Sequence, residues 1–210
     1  MQLSLCLSVA ITALSMTTGD RSATATEFQA VGMYSSASCK GSPDLLTMWP
    51  STNCTESTDG CEEAEDEYQL SSCISDQYAY TAEAYGDVPY LLVDMYDDDD
   101  CETYKGSFAL RANGDCIARG DHAVKVVMNM NGSATVTEYS DDSCSDQDIV
   151  EGDIVDATWF ESYTCTDAGF VFYNNAYPGT SGSGSLTTAE SGALHHFKSH
   201  LPTYLAQLRM

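Results

Sequence analysis

The sequence is poor in positive charge: 8 Lys and Arg stand against 32 Asp and Glu, a formal net charge of −24. The few cations are scattered singly, so a phosphate backbone or an anionic membrane surface would be repelled, and nucleic acid is not an expected partner. No apolar run reaches the roughly 18 residues a spanning helix needs, so no membrane span is expected. Closely spaced cysteine pairs are also missing, the nearest being Cys54 and Cys61, which argues against a zinc site. A nucleophile elbow is absent, and the body offers a single histidine, His122. The many Asp and Glu residues leave a carboxylate pair for glycoside hydrolysis conceivable, but their abundance singles none out. No cofactor is implied.

What is present points outside the cell. Leu3 to Met16 is apolar and uncharged and gives way to small residues ending in Ala23-Thr24-Ala25, the pattern of a signal peptide over residues 1–25. Ala13-Leu14-Ser15 offers a second cleavage site, so the cut falls between residues 15 and 25. Cys6 leaves with that segment, and eight cysteines remain: Cys39, Cys54, Cys61, Cys73, Cys101, Cys116, Cys144 and Cys165. An even count in a secreted chain predicts four disulfides.

The cysteines follow a repeat. Tyr-x-x-x-x-Cys occurs at Tyr34 to Cys39, Tyr96 to Cys101 and Tyr139 to Cys144, each preceded by strand-like residues: Val31-Gly32-Met33, Val93-Asp94-Met95 and Val136-Thr137-Glu138. Cys73 and Cys116 each precede the next opening cysteine by the same interval and are each followed by Ile. This register pairs Cys39 with Cys73, Cys101 with Cys116 and Cys144 with Cys165, leaving Cys54 with Cys61. A rival register pairs Cys39 with Cys54 and Cys61 with Cys73.

Between the cysteines the hydrophobic pattern has period two. Val124, Val126, Met128 and Met130 alternate with their neighbours, Asn131-Gly132 supplies a tight turn, and Ala134 to Tyr139 runs back. Asn113-Gly114 separates Phe108–Arg111 from Cys116-Ile117 in the same fashion, and Gln77–Tyr85, Val88–Tyr96 and Gly169–Tyr173 add further strand-like runs. No strongly amphipathic helix is expected before residue 186. The predicted fold is all-β: a disulfide-stabilised β-sandwich of repeated Tyr-x4-Cys hairpin units over residues 26–175, with a trefoil-like arrangement or two small β-modules as the alternative. Gly179–Ser185 reads as a flexible linker opening a tail over 176–210. In that tail Leu194, Phe197, Leu201, Tyr204 and Leu208 step at helical spacing, interrupted by Pro202.

The Tyr-x4-Cys openers, the SSASCKGSP stretch at 35–43 and the segment CISDQYAYTAEAYGDVPYLLVDMYDDDDC at 73–101 resemble the cysteine-patterned secreted proteins of oomycetes. These include the ectodomains of their tyrosine-kinase-like receptor kinases. The resemblance covers about residues 28 to 175 and implies a lineage-restricted, β-rich extracellular module without a catalytic site. The kinase signatures are missing here, as is an Arg-x-Leu-Arg motif near the N-terminus.

Individual motifs are weighed on their chemistry. Asp97–Asp100 with Glu102 could gather calcium, but the cluster lacks an EF-hand's loop glycine and twelfth-position Glu, and a solvated turn is the favoured reading. Arg119-Gly120-Asp121 matches an adhesion tripeptide, yet Gly and Asp are also ordinary turn residues. Asn53-Cys54-Thr55 and Asn131-Gly132-Ser133 are glycosylation sequons. Trp49, Trp159 and the 13 tyrosines could stack on sugars or simply pack. The expected function is a secreted, non-catalytic binding or interaction module acting on an extracellular protein or glycan at a host or cell-wall surface. The alternatives are a kinase-less receptor ectodomain competing for a shared ligand, or a carbohydrate-active enzyme with a carboxylate pair.

Overall fold

The computed structural model describes residues 27–175 apart from 59, 65 and 66. The expected signal segment at 1–25, with its cysteine Cys6, and the tail at 176–210 lie outside the described residues.

Among the described residues eleven strands form two antiparallel sheets, as the period-two patterning predicts. The larger sheet contains β1 (Glu27–Tyr34), β2 (Leu45–Ser51), β3 (Glu62–Ala64), β4 (Glu67–Ile74), β5 (Tyr90–Tyr96), β6 (Tyr104–Arg111) and β11 (Phe170–Asn174). Their spatial order is β11-β5-β6-β2-β1-β4-β3. The smaller sheet has the order β10-β9-β8-β7, built from β7 (Asn113–Arg119), β8 (His122–Met128), β9 (Ala134–Tyr139) and β10 (Ile149–Val155). Leu45, Leu91, Val93, Phe108 and Leu110 of the large sheet pack against Ile117, Val124, Val126, Val136 and Val155 of the small one. This is a sandwich, and the two open sheets replace the trefoil-like alternative.

The outer face of the large sheet is covered too. Helix α1 (Gln77–Tyr85) lies over Ala30, Leu46, Met48, Tyr90, Leu92 and Ala109. Both faces of β5 and β6 are therefore apolar, and alternation disappears along Tyr90–Val93 and Ser107–Leu110. The strand expected over Gln77–Tyr85 is corrected to this helix. Asp76 caps it, its carboxylate accepting the amides of Tyr78 and Ala79, an arrangement that contributes about 1 kcal/mol. The helix ends at Gly86, where φ is 56° and the amide bonds to the Ala82 carbonyl. The buried Tyr85 hydroxyl donates to the Ala109 carbonyl at 2.9 Å, anchoring the helix to the sheet. A second short helix, α2 (Ala157–Ser162), is capped by Asp156 and sends Phe160 into the inter-sheet core against Phe172.

Two expected turns differ from the structure. Asn131-Gly132 does join β8 to β9, but within a five-residue connection, because β8 stops at Met128, opposite Ala134. Met130 is therefore exposed rather than in the strand. Asn113-Gly114 is not a hairpin turn at all. There the chain leaves the large sheet at Arg111, passes through buried Ala112 and starts β7 in the small sheet with a bulge between Asn113 and Cys116. Bulges of this kind re-aim a strand between layers.

The repeat is a three-stranded unit. Each Tyr-x4-Cys lies in the connection of a hairpin: β1 to β2, β5 to β6 and β9 to β10. Each opening strand is flanked on its other side by a third strand: β4, β11 or β8. Cys39, Cys101 and Cys144 all adopt the left-handed backbone, with φ of 46°, 54° and 52°. Such a conformation costs a non-glycine residue about 1–2 kcal/mol, so its recurrence marks a motif that tertiary structure sustains.

The cysteine pairing departs from both expected registers. The bonds are Cys39–Cys61, Cys54–Cys73, Cys101–Cys165 and Cys116–Cys144. Cys61, Cys165 and Cys116 lie five or six positions ahead of β4, β11 and β8, so every opening cysteine bonds to the segment leading into its unit's third strand. In the first two units that strand follows the hairpin in sequence; in the third, β8 precedes it. A register that always sought the closing cysteine downstream could not detect this permutation.

Candidate functional site

Along β5, Tyr90, Leu92, Asp94 and Tyr96 alternate toward the α1 face, and Asp94 is the anomaly among them: a fully buried carboxylate in an apolar strand. One carboxylate oxygen accepts the Tyr78 hydroxyl of α1 at 2.6 Å, and the other accepts the Ser107 hydroxyl of β6 at 2.6 Å. Tyr104 shares a hydrogen bond of 2.5 Å with Ser107. Burial raises the Asp94 pKa above the usual carboxylate value, while the hydroxyls of Ser107, Tyr78 and Tyr173 partly oppose the shift. Among the described residues no Lys or Arg forms a salt bridge with it.

Tyrosine rings surround this carboxylate. Tyr78 meets Tyr173 of β11 at a centroid separation of 5.1 Å and 59°, and Tyr163 stacks on Tyr173 at 5.2 Å and 29°. Tyr96 meets Tyr104 edge to face at 5.6 Å, and Phe28 packs on Tyr104 at 6.0 Å. Burial, together with the neighbouring Asp94 charge, raises the phenol pKa values of Tyr78, Tyr96 and Tyr104 and pushes Tyr173 up to about 12. These phenols stay protonated across the physiological range. The outer rings remain accessible: Tyr78 is 42% exposed and Tyr163 is 58% exposed.

Tyr163 is held there under strain. It follows α2 in the left-handed conformation at φ 49°, a position usually given to Gly or Asn. A bulky aromatic in that conformation is uncommon, and it projects one ring of the cluster into solvent. The cluster is invisible to sequence patterning because its members come from α1, β5, β6, β11 and the residue after α2. The available signal was an Asp in phase with Tyr90, Leu92 and Tyr96.

The residues singled out from sequence are not gathered together. All eight body cysteines are in disulfides, Cys73 and Cys116 from within β4 and β7 and the rest from connections between elements. Asn53 and Asn131 are both exposed in connections, after β2 and between β8 and β9. Arg119-Gly120-Asp121 forms the β7–β8 turn, but Arg119 is drawn back into an ion pair with Glu67 of β4, leaving only Gly120 and Asp121 displayed. Trp159 packs against the inter-sheet core beside Phe172 rather than forming a platform.

In the acidic turn, Asp98 accepts the amides of Glu102 and Thr103, both at 2.8 Å, just beyond the left-handed Cys101. These bonds hold its carboxyl below the usual range. Asp141 occupies the matching place in the third unit, bonding to the Ser143 hydroxyl and to the Ser145 amide, and its pKa is lowered in the same way. The acidic cluster thus has a structural role, since its second residue caps the turn that presents the cysteine. No group of three or more His, Cys, Asp or Glu side chains suited to a metal ion occurs among the described residues.

No helix among the described residues is long and apolar enough to cross a membrane. Comparison with protein-family models, curated proteins and solved structures finds no match to this chain. Any functional reading of this chain therefore rests on its own residues.

Proposed function

We propose that the protein is a secreted, non-catalytic binding module whose contact surface is the tyrosine face around Asp94. The observation carrying this reading is the company Asp94 keeps. Its two oxygens are occupied by Tyr78 and Ser107, while the rings of Tyr78 and Tyr163 face solvent. A carboxylate so engaged orients aromatics better than it moves protons, and exposed tyrosines supply rigid contact area at low entropic cost. Secretion is supported by four disulfides, a feature typical of extracellular proteins. Glycosylation at the exposed Asn53 and Asn131, and kinship with the oomycete secreted proteins, belong to the same reading.

The test uses full-length protein exported from an oxidising host. It is screened for binding to, and hydrolysis of, glycans and extracellular surface preparations. Binding that falls with Tyr78→Ala or Tyr163→Ala, without product release, supports the proposal. Turnover abolished by a single Asp or Glu substitution rejects it in favour of the carboxylate-pair enzyme.

A further inference from the structure

The inner polar groups of the tyrosine face are already committed. The Tyr78 and Ser107 hydroxyls are engaged by Asp94, and Tyr104 is engaged by Ser107. Apart from the exposed Tyr163 phenol, little remains there to fix a sugar's hydroxyls. What the face does offer is ring surface backed by a buried carboxylate with no basic partner among the described residues.

The rest of the molecule is short of cations. Lys105, Arg111 and Arg119 are held by Asp97, Asp44 and Glu67. Lys125 lies over the Tyr139 ring at 5.7 Å, so the fold already sets a cation on a tyrosine face. A net charge of −24 draws cations in and repels anions, and the described residues offer no ligand set for a metal ion.

We propose that this face binds a small soluble organic cation of the alkylated-ammonium class, its charge lying against the rings of Tyr78, Tyr163 and Tyr173 with Asp94 behind them. A soft, weakly hydrated cation gains most from aromatic faces and a desolvated counter-charge, and loses least on leaving water. This inference names the ligand class of the site proposed above and rests on that proposal.

The experiment titrates full-length, disulfide-bonded protein with tetramethylammonium chloride and with choline. The comparisons are 3,3-dimethylbutan-1-ol, the uncharged isostere of choline, and a neutral oligosaccharide, all at fixed ionic strength, with tyrosine ring resonances as the readout. Saturable shifts at Tyr78, Tyr163 and Tyr173 are expected with the two cations and not with the isostere. Tyr163→Ala removes an exposed ring without disturbing the core and should weaken binding about two- to five-fold. Asp94→Asn, checked for folding by circular dichroism, should weaken it at least as much.

An equal response to the isostere, an affinity unchanged in Tyr163→Ala, or binding to phosphatidylcholine vesicles without binding to free choline overturns the proposal. Saturation of the same rings by the oligosaccharide alone overturns the cation assignment while leaving the binding-module reading standing. Silence of these rings toward every probe and partner removes both.

Discussion

Replacing both cysteines of the Cys101–Cys165 bridge by serine is the sharpest probe of the permuted repeat. The bridge spans 64 residues, linking the turn after β5 to the segment leading into β11 and closing a loop that contains the whole small sheet. The nested Cys116–Cys144 bridge spans 28 of those residues and shortens the effective loop, so in the chain-entropy account opening it costs about 3.8 kcal/mol at 25 °C. The same relation gives about 3.2 kcal/mol for Cys54–Cys73, which spans 19 residues. Losing the longer bridge should therefore cost about 0.6 kcal/mol more than losing the shorter one. The excess should be larger still if β11, an edge strand paired with β5 alone, frays when its entry is untied. Urea denaturation of the two double variants measures the difference, with peptide mapping under non-reducing conditions as the companion assay. Recovery of a Cys101–Cys116 peptide, or a Cys101→Ser/Cys165→Ser protein more stable than the Cys54→Ser/Cys73→Ser protein, would refute the reasoning.

The remaining predictions concern single side chains. Asp94→Ala removes the carboxylate that accepts the Tyr78 and Ser107 hydroxyls and should destabilise by about 1–3 kcal/mol in thermal or urea unfolding. Because folding raises the Asp94 pKa, the native state holds its proton longer, and this residue's contribution to stability falls as pH rises from the unfolded value through the folded one. The gap between wild type and Asp94→Asn should accordingly be wider at the acid end of that window than above it. Asp98 has the opposite sign: its pKa is lowered, so the stability it confers is complete above the ordinary carboxylate value and lost as pH falls through the folded one. Asp98→Ala should lower Tm at neutral pH and match wild type once both are measured below that range. Gly169→Ala meets two obstacles, a φ of 73° and a Cβ lying 2.6 Å from the Asp98 carbonyl oxygen, and should destabilise by about 2–4 kcal/mol, read by urea unfolding.

Sequence alone settled what local patterning can settle. Alternation along β8 and β9 and the strand endings at Tyr34, Tyr96 and Tyr139 made the all-β class and the hairpin repeat legible, because a side chain's face in a strand depends only on its parity. The even count of body cysteines anticipated four bridges. Helix α1 is not legible from local pattern, because it packs on a sheet already covered on its other face. Its aromatics resemble a strand's, and its signature is the cap at Asp76 rather than a periodicity. Which cysteines meet, which turn switches sheets and which carboxylate is buried are long-range matters. Cys101 finds Cys165 because β11 returns from the far side of the small sheet to lie beside β5, and the same return sets Tyr173 beside Tyr78 near Asp94. Spacing along the chain carries no record of that return, so the bridge pattern and the tyrosine face were decided only where the two sheets packed.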